Sequence, residues 1–284
     1  MRTTEKHRIK LWGIRPNWSN KSYKLSLFML FMVLKVEKFA FYVINKLKGI
    51  RKDLICVPFI ASKPKGANIV VLSPHFDDEI FGCGGTLRKH ILTGDRVNVI
   101  YMTDGRYGVP DIKNKSYAEK IRKKESAEAL KVLGIRYFYY LDEPECTRQL
   151  NDATVKKLVK ILDEIKPDLI YLPWFLENHI DHIKINKLLY FASKSFKFKF
   201  DICAYEVWTP LIPNLIVDIT SVIEEKKMAM KCFKSQLHYV NYCDIVLGLN
   251  KYRTCSNMKG RGFAEAFLHT SSDFYFGLFN KNDY

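Results

Sequence analysis

Asn68-Ile69-Val70-Val71-Leu72-Ser73 is apolar and β-branched without polar alternation, and this run limits the folds open to the chain. A strand with one wet face would alternate, so the run predicts burial on both faces, as inside a helix-covered parallel sheet. The pattern continues downstream. Residues 86–92 have helical apolar spacing and run to Gly94, a residue suited to the position after a helix. Residues 96–101 form a second buried run. Residues 115–133 place Ala118, Ile121, Glu125, Ala129 and Val132 on one helical face and close at Gly134. A third strand at 135–141, an amphipathic helix at 153–165 stopped by Pro167, and a fourth strand at 168–172 complete the series. The order βαβαβαβ predicts an α/β, doubly wound, mostly parallel sheet with right-handed crossovers and helices on both faces. Beyond it, residues 183–193 read as helix and 201–208 as extended chain. Ser221 to Glu224 reads as a capping box opening a helix to about Gln236, and 261–267 as a turn and short helix.

The first strand runs into Pro74-His75-Phe76-Asp77-Asp78-Glu79, one imidazole and three carboxylates in a single turn. Groups so close repel one another and favour protons or a cation, so a divalent ion is the simplest stabiliser. The turn lies at a strand's carboxyl end, the edge where open α/β sheets bind ligands.

The chain has 284 residues and a formal net charge of +16. That charge suggests nucleic acid until its distribution is considered. Residues 1–66 hold 15 Lys and Arg against 3 Asp and Glu, whereas 31 face 27 in the remaining 218 residues. The excess belongs to one N-terminal segment, and no nucleic-acid partner is expected. We therefore divide the chain into a basic, apolar segment with a connector (1–66, the connector from Gly49 to Gly66) and a globular domain (67–284). Residues 25–34 are almost wholly apolar, and the character resumes at 39–44. As one helix this stretch is amphipathic, with Lys24, Lys35 and Lys46 on one stripe. An apolar core that runs into charges and the lack of a small-residue cleavage site disfavour a secretory signal, and a spanning helix must carry three charges near its middle. Three readings remain: an interfacial helix on anionic lipid through residues 1–60, a spanning helix, or a helix packed on protein. Seven cysteines, an odd number with no C-x-x-C, read as reduced thiols. The expected location is the cytoplasm, peripherally at the inner face of a membrane if the interfacial reading holds.

A second constellation, Asn178-His179-Ile180-Asp181-His182, follows the fourth strand. Two strand ends of one parallel sheet share an edge, so these histidines can meet His75 and Asp78 across the crevice. Two histidines and a carboxylate with an open position suit catalytic zinc and also ferrous iron. A second carboxylate beside a ligand is what a metal-water hydrolase needs as base, and Asp77 with Asp78 supplies the pair.

These residues resemble the LmbE-like/PIG-L family of N-acetylglucosaminyl deacetylases, zinc enzymes on a Rossmann-like fold. The resemblance rests on His75 to Glu79 with glycines at 82, 84 and 85, on Thr103-Asp104-Gly105, and on Arg122 and Glu125 ahead of Leu133-Gly134-Ile135. It continues in His179 to His182 and, more weakly, in Ser235-Gln236 and Ala264-Glu265-Ala266-Phe267. It implies that His75, Asp78 and His182 hold zinc (or Fe²⁺ or another divalent metal) and that Asp77 takes a proton from the attacking water. It implies that His179, oriented by Asp181, polarises the amide carbonyl, with Arg122 and Asp104 on the substrate side. The expected partner is an N-acetylated amino-sugar conjugate: sugar nucleotide, lipid-linked sugar, polysaccharide or small thiol precursor. Phe76 and Ile180 stand where that family usually has proline, which predicts altered turn stiffness and intact chemistry. Two rivals are a Mg²⁺ or Mn²⁺ phosphohydrolase and a non-catalytic sugar-binding or membrane-scaffold protein.

Overall fold

A computed structural model of the chain describes residues 58–147 and 149–278. The helix expected at 25–47 and its lysine stripe lie outside the described residues. Among the described residues, no helix is long and apolar enough to cross a membrane.

The strands are β1 (Phe59–Ala61), β2 (Asn68–Ser73), β3 (Arg96–Thr103), β4 (Tyr137–Glu143), β5 (Leu169–Pro173), β6 (Asp201–Tyr205), β7 (Leu215–Asp218) and β8 (Ala264–Ser271). The helices are α1 (Asp78–Leu92), α2 (Lys115–Leu133), α3 (Asp152–Ile165), α4 (Ile180–Ser193), α5 (Ile223–Met230), α6 (Lys234–Leu237), α7 (Tyr242–Tyr252) and α8 (Ser272–Gly277). One eight-stranded sheet has the order β1-β7-β8-β6-β5-β2-β3-β4. Every pairing is parallel except those of β8 with β6 and β7. The mostly parallel, helix-covered sheet expected from the sequence is therefore the fold.

Alternate residues of the buried strands feed two cores. Ile69 and Val71 pack on one face with Leu87, Leu130 and Met230, while Val70 and Leu72 pack on the other with Leu158, Leu162 and Leu188. This is why β2 shows no polar alternation: both its faces meet helices. From β2 the chain winds outward through β3 and β4, then returns to lay β5 against the other side of β2. The winding reverses between β2 and β5, and such a reversal opens a crevice at the strands' carboxyl ends.

The structure corrects four local expectations. Helix α1 begins at Asp78 instead of Thr86. Its early glycines signal close packing: a Cβ on Gly82 would lie 2.2 Å from the Tyr205 ring and one on Gly85 2.8 Å from Ile219. Part of the 49–66 connector is strand, since Phe59–Ala61 pairs with Leu215–Val217. Ser221 makes no capping box; Val222 stands at the cap of α5, and the helix stops at Met230 before a separate turn at α6. The segment read as a turn and short helix contains the start of β8, which pairs on both sides inside the sheet. Glu265 explains the last case. Its buried carboxylate accepts the Gly85 and Thr86 N–H groups and the Thr86 hydroxyl, and it pairs with Lys226 at 2.6 Å. Long-range partners, invisible to local propensity, hold the strand.

Candidate metal and active site

The crevice brings together the loop after β2 and the start of α4. Asp77 caps α1 with non-helical backbone, and Asp78 and Glu79 occupy the first turn, where negative charge complements the helix dipole. Asp78 turns its carboxylate back: Oδ2 accepts the His75 N–H at 2.9 Å and lies 3.1 Å from His75 Nδ1. The same oxygen is 3.2 Å from His182 Nε2. The three imidazoles of His75, His179 and His182 stand with centroids 4.7 to 5.4 Å apart.

His182 is fully buried, yet neither of its ring nitrogens has a hydrogen-bond partner of proper geometry. Buried orphan nitrogens beside a carboxylate are costly unless a further group satisfies them. One oxygen and two nitrogen donors suit Zn²⁺ or Fe²⁺, and His75, Asp78 and His182 therefore fit a divalent cation. Glu177 lies behind His182, with Oε2 3.6 Å from Nδ1. Its carboxylate also accepts N–H groups of Val207, Trp208 and Thr209 at 2.7 to 3.3 Å. Glu79, the third carboxylate of the turn, points into the core and accepts from Ser73 and Tyr101. Burial pushes it up to about 8.

Charges in the site oppose burial in different ways. Burial would raise the Asp78 carboxyl, but His182 and His75 hold it well below the ordinary range. Burial would lower His75, but Asp78 and Asp181 raise it well above the usual imidazole value. Burial raises Asp77, against the pull of Arg122. Burial and the neighbouring His75 and His182 push His179 down to about 4.

Arg122 is not a solvated helix arginine. It is 2 % exposed, with Nη2 3.3 Å from Asp77 Oδ1 and Nε and Nη1 without partners. Gly108 gives it room, since a Cβ there would lie 3.2 Å from Nε. Asp181 reaches both histidines: its Oδ2 is 3.1 Å from His75 Nε2 and 3.8 Å from His179 Nδ1. The carboxylate supports His75, and His179 receives the Asp181 backbone N–H at Nδ1, 3.2 Å away. A neutral His179 accepting at Nδ1 carries its proton on Nε2. Asp104 pairs with Arg106 at 2.5 Å and accepts its N–H; it shapes the 104–108 loop and does not line the cavity. Phe76 is fully buried against the Tyr101 ring at 4.8 Å, and Gly105, at φ +70°, makes room for it. The phenylalanine anchors the turn from the core side.

His75, Asp77, Asp78, Arg122 and His179 line an open cavity of about 200 Å³. Glu145, Cys146, Tyr107, Trp208, Gln236 and Tyr242 also line it, and only Gln236 belonged to a motif noted in the sequence. Ser235-Gln236 is placed through Glu125, which accepts the Ser235 N–H and hydroxyl, while Gln236 donates to the Gly108 carbonyl.

Residues 70–193 match the family described as PIG-L: GlcNAc-PI de-N-acetylase. Residues 70–193 thus carry a PIG-L (LmbE-like) domain. A diacetylchitobiose deacetylase of Thermococcus kodakarensis is 26% identical over 187 residues, 59% of this chain and 69% of that protein. A probable N-acetyl-alpha-D-glucosaminyl L-malate deacetylase 2 of Bacillus cereus is 32% identical over 125 residues, 40% of this chain and 56% of that protein. In the PIG-L fold, the N,N'-diacetylchitobiose deacetylase of Pyrococcus horikoshii aligns with a TM-score of 0.65 at 24% identity, covering 85% of this chain and 96% of its own. The PIG-L match takes in β2, β5 and both histidine-bearing turns.

Proposed function

We propose that this domain is a metal-dependent N-deacetylase that hydrolyses the acetamide of an N-acetylglucosamine-type sugar in a glycoconjugate, giving acetate and a free amine. The observation that carries the reading is Asp77 facing the cavity, held by Arg122, beside an Asp78 flanked by two histidines. A divalent cation, zinc or ferrous iron, held by His75, Asp78 and His182 would supply Lewis-acid polarisation and acidify water. Asp77 takes the proton of the attacking water as the new C–O bond forms, and Arg122 keeps its carboxylate charged and aimed. His179 donates from Nε2 to the carbonyl oxygen as negative charge develops there. Asp77 then passes its proton to the nitrogen as the C–N bond breaks. Trp208 and Tyr107, both more than half exposed at the cavity, offer ring faces to the apolar side of a sugar. A phosphohydrolase with an all-oxygen metal set leaves the orphan nitrogens of His182 without a role.

The zinc-loaded full chain, incubated with N-acetylglucosamine, diacetylchitobiose, a nucleotide sugar and a glycolipid, should release acetate from at least one, read by mass spectrometry. Metal-replete protein that deacetylates none of them while releasing phosphate would overturn the reading.

For the N-terminal segment the support is its sequence alone. Its apolar side chains and flanking lysines suit an interfacial helix on anionic lipid, which would keep the domain near a lipid-linked substrate.

A further inference from the structure

Cys146 sits on the rim of the cavity, exposed, in the left-handed region at φ +58°. That conformation turns its N–H onto both oxygens of the fully buried Asp181 carboxylate, at 3.1 and 3.2 Å. One ligand atom each from Cys146, His179 and Asp181 lie within 4.8 Å of one another. Zinc bonds of about 2.3 Å to sulfur and about 2.0 Å to nitrogen set donors roughly 3.5 Å apart, a contraction that a rim side chain and a part-exposed imidazole can make by rotation. A thiolate and a carboxylate balance a divalent charge, and the sulfur selects a soft ion over Mg²⁺ or Ca²⁺.

We propose that Cys146, His179 and Asp181 form a second, inhibitory site for a thiophilic divalent cation of the Zn²⁺ or Cd²⁺ class, adjoining the His75, Asp78 and His182 set through the contact of Asp181 with His75 Nε2. On binding, the thiol proton leaves to solvent and a sulfur–metal bond forms. Through Nε2 the ion removes the proton that His179 donates; through Nδ1 it displaces the Asp181 N–H and turns the ring toward Cys146, so that the Nε2 proton no longer meets the carbonyl oxygen. Inhibition rests on the role given to His179 above, whereas binding of the ion does not.

The test compares the full chain with Cys146→Gly and Cys146→Ser. Glycine suits φ +58°, so the first variant keeps the loop; serine keeps shape and replaces a soft donor by a hard one. Zn²⁺ or Cd²⁺ is titrated by equilibrium dialysis, with the ultraviolet charge-transfer band of cadmium–thiolate followed in parallel. Deacetylation at each point is judged against each protein's own rate with one metal equivalent. We expect the wild type to take a second equivalent, show the band and lose activity with it, and both variants to stop at one equivalent and resist added zinc. A second equivalent undiminished in Cys146→Gly, or no thiolate band in the wild type, overturns the site. A second equivalent with its band but without inhibition rejects the inhibitory role and leaves the deacetylase reading standing, whereas absence of any deacetylation in the one-equivalent enzyme fails that reading and not the binding.

Discussion

Arg122 touches Asp77 and nothing else of the site's carboxylates, and this separates two kinds of substitution. Asp77→Asn keeps shape and cannot accept a proton, so we expect unchanged metal content with a rate lower by roughly 10²–10⁴-fold. Near-normal turnover by the metal-replete variant would remove the assigned role. His75→Ala and Asp78→Ala should each lose the tightly bound ion, because a three-donor set falls to two; unchanged stoichiometry in dialysed protein would count against the ligand set. The meeting of His75, Asp78 and His182 was legible in the chain because strand ends of one parallel sheet share an edge. Glu177 and Glu145 were not legible. Each is a single carboxylate in a loop, and what it binds, the 207–209 amides or the Tyr107 N–H, lies some 30 or more residues away. The surroundings of Asp104 were not legible for the opposite reason: its partner Arg106 is two residues away, and nothing in the spacing tells an ion pair within the loop from a group facing substrate.

Helix α1 carries Asp78 and is fixed at its middle and at its end by side chains. At Gly85 and Thr86 it is held by Glu265, which forms with Lys226 a pair with no exposed surface. Glu265→Ala should cost about 3–5 kcal/mol by leaving a buried cation without its partner, measured by urea unfolding, and a loss below about 1 kcal/mol would show that Lys226 finds another acceptor. At its end, His90 lies between Asp95 at 2.7 Å and the Tyr171 hydroxyl at 2.8 Å. Burial, with Lys63 adding to it, holds His90 below the ordinary imidazole range despite Asp95. The native state therefore keeps it neutral, and as pH falls the unfolded chain takes up the proton first. Its contribution is complete above the unfolded value near 6.5 and is lost as pH falls through it toward the lower native one. The urea midpoint should drop between about pH 7.5 and about pH 5.5, less steeply in His90→Gln; equal slopes would exclude His90 as the source. Elements with a strong local period, such as α2 and α3, were readable to within a residue or two. Helix α1 was not, because glycines that lower helix propensity are there required by Tyr205 and Ile219 across the interface.

At the scale of the whole molecule, the described residues belong to a unit running from Ile55 to Tyr284. A chain cut before Ile55 should keep its metal and act on a soluble substrate analogue while no longer sedimenting with anionic vesicles. Vesicle binding that survives the cut would reject the membrane role of the N-terminal segment, and loss of the metal would show that the domain needs that segment. A cut beyond Ala61 should do worse, because it removes β1 from the sheet edge. Strand order has a further consequence. β8, the last of the described strands, lies between β6 and β7, and β1 and β7 reach the rest of the sheet only through it. During synthesis the ribosome therefore delivers every residue of the candidate site before the sheet can close. Until residues 264–271 have emerged, the nascent chain holds two open edges flanking a gap one strand wide, and any premature stop before Ala264 exposes both edges to other chains.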